Sequence, residues 1–308
     1  MAASPPANPA TPSPLIFDRA ALRVRRRRAA LLGPATFLLD RSAEELAERL
    51  GAVMRRFDLA LDFGTSGEAA RAALARVGSV GTIVAAGALA EKRGARAQPF
   101  VVADEEALPF RDGVFDLVVS LLALQFVNDL PGVLIQVRRA LKPDGLFLAA
   151  LIGGESLTEL RQSFAAAESE IDGGASPRVA PFADLRDLGA LLQRAGFALP
   201  VTDAERLTVR YDSAFALMHD LRRMGATNVL AERRRLPLKR TTLMRLAEIY
   251  GERFADDDGR VRATFEIVWL SGWAPHPSQQ RPLRPGSAQA RLADALGAHE
   301  ISAGEKAG

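Results

Sequence analysis

The 308-residue chain has no cysteine. Disulfides and thiolate metal sites are therefore excluded, and the composition suits a reducing compartment. Histidine is nearly as scarce: His219, His276 and His299 are the only three, and none stands in a His-x-Asp or His-x-Glu pair. The two-histidine-one-carboxylate iron site is not written locally, and no metal is expected. No stretch supplies the ~20 consecutive apolar residues of a membrane-spanning helix, so membrane contact would be peripheral. A Ser-His-Asp nucleophile signature is missing, and internal repeats are missing as well. Basic residues exceed acidic ones by only 40 to 37. Much of that small excess sits in one run, Arg23 to Arg28, so the charge balance does not point to a nucleic-acid partner.

What is present is an ample core, with 48% hydrophobic residues in a length suited to one large or two small domains. Residues 1–15 are rich in Ala, Pro and Ser and read as a disordered tail. Residues 16–275 read as one folded domain and 276–308 as a C-terminal tail. The first arginine is Arg19, which favours the cytoplasm over a mitochondrial matrix reached by a transit peptide.

The organising stretch is Leu59-Ala60-Leu61-Asp62-Phe63-Gly64-Thr65-Ser66-Gly67. It reads as an apolar strand that ends on an acid and opens into a glycine-rich turn before a helix at 68–77. Glycine lets the backbone approach a ligand, and a helix start offers unpaired N–H groups. From there strands and helices alternate. Strands are expected at 59–63, 79–84, 98–102, 115–121 and 146–151, with helices at 68–77, 87–93 and 130–141. The run Asp116-Leu117-Val118-Val119-Ser120-Leu121 is continuously apolar apart from its polar ends, as in a buried parallel strand. The alternation implies right-handed βαβ units in a doubly wound α/β sheet.

Beyond Gly153-Gly154 the texture changes to helices at 155–170, 184–195, 213–224 and 243–254. Strands follow at 199–211 and 263–273. Ser156 and Glu159 stand at cap-pair spacing. Before the sheet, residues 20–32 form a basic helix that reads as a lid, as a surface for acidic partners, or as an ordinary solvated face. Residues 37–50 form a second helix.

Five runs then align in order. They are residues 59–67, Ala103-Asp104-Glu105-Glu106-Ala107-Leu108-Pro109-Phe110, residues 113–120, residues 122–130 and Leu141-Lys142-Pro143-Asp144-Gly145. The pattern resembles the class I S-adenosylmethionine-dependent methyltransferases, in the branch of the biotin-synthesis malonyl-acyl-carrier-protein methyltransferase. Gly153-Gly154-Glu155-Ser156-Leu157-Thr158-Glu159-Leu160-Arg161, Ser176-Pro177-Arg178-Val179 and Ser271-Gly272-Trp273 narrow the resemblance. It is closest to bacterial relatives of the mitochondrial complex I assembly factor that hydroxylates an arginine. The resemblance implies a seven-stranded sheet of order 3-2-1-4-5-7-6 with one antiparallel strand, residues 263–273. It also implies helical cap additions at about 155–181 and 212–262. A respiratory complex subunit is the implied partner.

The resemblance further implies site roles. Asp62 would contact the methionine part of S-adenosylmethionine, and Gly64, Ser66 and Gly67 would form the turn against it. Ser66 stands where a glycine is expected, and a positive φ there would cost about 1 kcal/mol. Asp104 would hold the adenine amine, with Glu105 beside it. Leu121 and Gln125 fall where the fold lines the mouth. The acid that takes the ribose hydroxyls is absent: Ala86, or Ala85 beside it, occupies its place. Losing that contact would lower cofactor affinity on the order of a hundredfold. Two further readings therefore stand beside an enzyme acting on a protein side chain. One is methylation of a small acyl carboxylate; the other is an assembly chaperone with a degenerate cofactor site. Glu155 and Glu159 would suit a guanidinium if they share a helix face, and Arg161 or Arg178 would suit a carboxylate.

Overall fold

The computed structural model describes residues 15–89, 99–280, 294 and 296–298. The expected N-terminal tail, apart from Leu15, and the helix expected at 87–93, from residue 90 on, lie outside the described residues. So does most of the C-terminal tail. Contacts divide the chain into Met1–Pro275 and His276–Gly308. In the second, short unit the His276 ring Nδ1 lies 2.7 Å from Ser278 Oγ.

The first unit opens with α1 (Arg19–Leu31) and α2 (Phe37–Gly51), followed by β1 (Phe57–Phe63), α3 (Ala69–Arg76), β2 (Val80–Gly87) and β3 (Phe100–Val102). Next come β4 (Phe115–Leu121), a 3-10 turn at Leu124–Phe126, α4 (Leu130–Ala140) and β5 (Leu141–Ile152). The cap and return are α5 (Thr158–Asp172), α6 (Leu185–Arg194), β6 (Ala198–Tyr211), α7 (Ala214–Arg223), α8 (Arg240–Phe254) and β7 (Val261–Trp273). The sheet order is β3-β2-β1-β4-β5-β7-β6. The first five strands are parallel, and β7 runs antiparallel to both β5 and β6.

Strand periodicity splits the core between the two faces of the sheet. In β4, Leu117, Val119 and Leu121 join α2, α3 and the cap helices in one cluster, while Phe115 and Val118 pack with α4 and α6 in the other. A third, smaller cluster joins Phe17 and Leu22 to Phe126, Ala180, Val229 and Leu230. Its rings meet edge to face, Phe17 on Phe126 at 5.7 Å and Phe126 on Phe182 at 6.1 Å. That cluster fixes the start of α1 beside the 3-10 turn.

The helix expected at 155–170 starts later, at Thr158, after Leu157 takes a left-handed φ of 57°. Ser156 and Glu159 do not cap it. Their side chains turn instead to β7, for a reason set by strand lengths. β5 pairs with β7 only from Leu146↔Trp273 to Ile152↔Ile267, whereas β6 pairs with β7 down to Val261. The first turn of β7 therefore lacks a neighbour on the β5 side, and its backbone polar groups need other partners. Gly153 N donates to Glu266 O at 2.8 Å, and Leu157 N to Thr264 O at 2.7 Å. Glu266 N donates to Ser156 Oγ at 2.9 Å. Thr264 N donates to Glu159 Oε2 at 3.0 Å, and Tyr250 Oη donates to Arg262 O at 2.8 Å.

β7 brings Phe265, Ile267 and Trp269 into the core and is bonded on both sides. A fragment ending at Asp212 should therefore lose cooperative folding. A soluble 1–212 fragment with a sigmoidal thermal melt by circular dichroism would contradict this.

Candidate functional site

Strand order reverses between β1 and β4, and ligands of doubly wound sheets bind beyond the carboxyl ends of the strands at such a point. Asp62, next to last in β1, stands there and is 1% exposed. Its Oδ2 lies 3.2 Å from Arg71 Nη1 on α3. The turn that follows has Gly64 and Gly67 at φ 74° each, while Ser66 does not take a positive φ. The serine substitution therefore carries no backbone strain. Gly64 N donates to Ala86 O at 2.7 Å, and Leu121 N donates to Thr65 Oγ1 at 3.0 Å. These bonds pin the turn to β2 on one side and β4 on the other. Leu121 itself is wholly buried in the core. Gln125 bonds back to Leu122 O at 2.9 Å, and its Oε1 is buried without a partner.

The acids after β3 are engaged by the chain's own arginines. Arg19 Nη2 donates to Asp104 Oδ1 at 2.8 Å and also to Glu105 Oε2, and its Nη1 lies 3.5 Å from Glu106 Oε1. Arg23 bonds the other oxygen of Asp104. Arg26 Nη1 lies 3.5 Å from Glu105 Oε1. Burial pushes the Arg26 guanidinium below its ordinary value, and the Glu105 charge opposes that shift. Arginines 19, 23 and 26 stand at i, i+4 and i+7, on one face of α1. That spacing was the available signal that α1 covers the mouth, and no motif marks it.

S-adenosylmethionine, the cofactor implied by the fold, is a nucleoside with a charged methionine tail. The residues present fit it. Gly64 takes a positive φ and is closely covered: a Cβ there would lie 3.0 Å from Glu105 Cγ and 3.1 Å from Ala123 Cβ, so only glycine fits beneath the acid that faces the site. Asp62 stands at the end of β1, Asp104 is half-exposed at the end of β3, and Glu105 Oε1 accepts no hydrogen bond.

The substrate candidates do not act together. Glu155 precedes α5, is 60% exposed and lies 3.4 Å from Arg206. Glu159 is 7% exposed and is used up on Thr264 N and Oγ1. The acidic clamp expected from i,i+4 spacing is thus absent, because the helix begins after Glu155. Among the described residues, Arg161 reaches the carbonyls of Gly154 and Ser156, at 3.5 and 3.3 Å, and no carboxylate. It lines a groove of about 490 Å³ with Phe164, Ser176, Arg178 and Phe182. Arg178 in that groove is neutralised by the buried Glu168, whose Oε1 it bonds at 2.7 Å.

Residues 61–149 match the family described as Methyltransferase domain. The chain is 38% identical over 286 residues to "Arginine-hydroxylase NDUFAF5, mitochondrial" of Danio rerio, covering 91% of this chain and 89% of that one. The human protein of the same name is 40% identical over 284 residues, covering 89% and 81%. A "Malonyl-[acyl-carrier protein] O-methyltransferase" of Laribacter hongkongensis is 42% identical over 192 residues, 62% of each chain. Among solved structures, the YcgJ protein of Bacillus subtilis superposes with a TM-score of 0.52 at 17% identity, covering 77% of this chain and 99% of that one. The last similarity concerns the fold alone.

The different environments of the two glutamates lead to a measurable contrast. Glu159→Gln should destabilise the protein by roughly 1–3 kcal/mol, because buried backbone and hydroxyl donors lose a charged acceptor. Glu155→Gln should change stability by less than about 0.5 kcal/mol, as a solvated pair contributes little. Urea denaturation of both variants measures this, and equal losses would contradict it.

Proposed function

The chain belongs to the methyltransferase-fold family of the arginine-hydroxylase NDUFAF5, and on that premise we propose that it binds S-adenosylmethionine and modifies an arginine side chain on a respiratory complex subunit during assembly. The observation that carries this reading is the extent of the likeness. The NDUFAF5 relatives align through both the sheet and the cap, at 89% of the Danio rerio protein, whereas the malonyl-acyl-carrier-protein methyltransferase aligns over 62%. The compartment in this reading is the bacterial cytoplasm.

Asp62, Gly64, Gly67 and Asp104 would hold the cofactor, with Ser66 and Ala86 contributing backbone to the turn and its neighbour strand. When bound, S-adenosylmethionine supplies a methyl group made electrophilic by its sulfonium charge. The residues of the chain do the positioning. Gly64 lets the cofactor approach the backbone, and Asp62 and Asp104 orient its two ends. The 3-10 turn around Gln125 would face the incoming substrate. Positioning and exclusion of water carry most of such a transfer, so the reading asks for no acid–base pair.

One observation favours a second reading, methylation of an acyl carboxylate. Among the described residues no carboxylate pairs with Arg161, which leaves a cation beside an apolar groove. A carboxylate of the substrate would complete that charge.

The test is to supply the purified protein and S-adenosylmethionine with either isolated respiratory complex subunits or a malonyl thioester, followed by mass spectrometry. The expected result is a mass gain of one methyl group on an arginine of a subunit, changed less than about twofold by Arg161→Ala. Methylation of the thioester, falling at least tenfold in Arg161→Ala, would replace this reading with the acyl one. Capture of the subunit with neither product and no cofactor binding would leave an assembly chaperone.

A further inference from the structure

β2 closes on Ala85, Ala86 and Gly87 and so brings no carboxylate to the mouth. A carboxylate is nevertheless present there in space. Ala103 N donates to Gly87 O at 3.0 Å, so the chain leaving β3 is held against the end of β2. Glu105, two residues later, folds back over the glycine turn. Its Cγ and Oε1 lie 3.0 and 3.6 Å from the point where a Cβ on Gly64 would stand. Gly64 in turn is bonded to Ala86 O, and a Cβ on Gly87 would lie 3.7 Å from Gly64 Cα. The Glu105 side chain is 3% exposed, yet its Oε1 accepts no hydrogen bond. A buried carboxylate with an idle oxygen is costly unless a donor completes it.

We propose that Glu105 supplies to the ribose diol of S-adenosylmethionine the carboxylate that β2 lacks, and that Arg19 holds this carboxylate in place until the cofactor arrives. The inference rests on the cofactor reading above. A cis-diol presents two O–H donors, and a carboxylate can accept both, one on each oxygen. In the present state Arg19 takes Oε2 and Arg26 stands 3.5 Å from Oε1. The diol would displace Arg19 and use the idle oxygen, while Arg26 stays to balance the charge. Departure of Arg19 also removes one donor from Asp104 Oδ1, which the same guanidinium bonds at 2.8 Å, and so opens that oxygen to the adenine amine while Arg23 keeps the other. Glu105 and Asp104 are thus exchanged together between an internal guanidinium and a nucleoside.

The contrary account is that Glu105 is a plug that fills space the ribose needs. Calorimetric titration of the full chain with S-adenosylhomocysteine, and with its 2′-deoxyribose analogue, separates the two. Glu105→Gln should weaken binding of S-adenosylhomocysteine about tenfold or more, and should reduce the parent's preference for ribose over deoxyribose to within about twofold. Arg19→Ala should tighten binding several-fold, because the competitor is gone. Unchanged or tighter binding in Glu105→Gln, or an undiminished ribose preference, would overturn the proposal while leaving the cofactor reading intact. If Glu105→Gln does not fold, Arg19→Ala decides alone: no gain in affinity overturns it. Absence of binding in both the parent and Arg19→Ala would sink the cofactor reading and this inference together.

Discussion

The unpaired start of β7 is the constraint on which the rest of this fold depends. A strand inserted between β5 and β6 must satisfy backbone groups on both sides. β6 follows it to Val261, but β5 stops at Ile152, opposite Ile267. The five residues from Gly153 to Leu157, with Glu159 beyond them, continue the missing edge without being a strand. Backbone N–H groups of Gly153 and Leu157, the Ser156 hydroxyl and the Glu159 carboxylate take the ladder positions. Space there is tight. A Cβ on Gly153 would stand 2.7 Å from Val268 Cγ2 and 2.2 Å from Glu266 Oε2, so a larger residue would force side chains of β7 to shift. The run from Gly153 to Leu160 that marks the branch is therefore first a structural seam, fixing where the cap leaves the sheet.

Electrostatics at the mouth follow from local charge rather than from the net charge of +3. Three consecutive acids would repel one another if left alone near a low-dielectric sheet edge. Arginines 19, 23 and 26 neutralise them from a helix distant in sequence. The pairs involving Glu105 are almost dry, whereas Asp104 and Arg23 are both more than one-third exposed and contribute correspondingly less. The cluster thus stabilises a closed mouth without making it permanent, since its outer pairs are accessible to solvent and to competing charge.

Much of this was legible in the sequence, for physical reasons. The parallel strands announce themselves because both faces are buried, which leaves the continuous apolar run at Leu117–Val119. Strand order came with the resemblance rather than from periodicity, and the observed topology agrees with it. Glu159 shows what was not legible. Its i,i+4 spacing from Glu155 suggested a shared face, but spacing cannot report that Leu157 takes a left-handed φ and starts the helix after Glu155. Nor can spacing reveal that two strands differ in length, which is what captures the Glu159 carboxylate. Arg19 was hidden for a similar reason. Its partners lie 85 and 86 residues away, and only the tertiary fold brings them together.

The cap and the mouth are joined through α1. Asp18 caps that helix by accepting from Ala21 N at 2.9 Å, and its backbone N donates to Val229 O at 2.7 Å. Arg233, in the same cap segment, bonds the Asp18 carboxylate at 2.9 Å. Asn128, after the 3-10 turn, accepts from the backbone N–H groups of Ile16 and Phe17 at 2.9 and 2.7 Å and donates its own to Glu106. The residue next to Asp18 is Arg19, which closes the mouth. One helix therefore carries both the arginine that pairs with the acids at the mouth and the anchor to residues 229–233. The cap is thus attached to the sheet by the β7 seam and to the ligand mouth by α1, so its position bears on both.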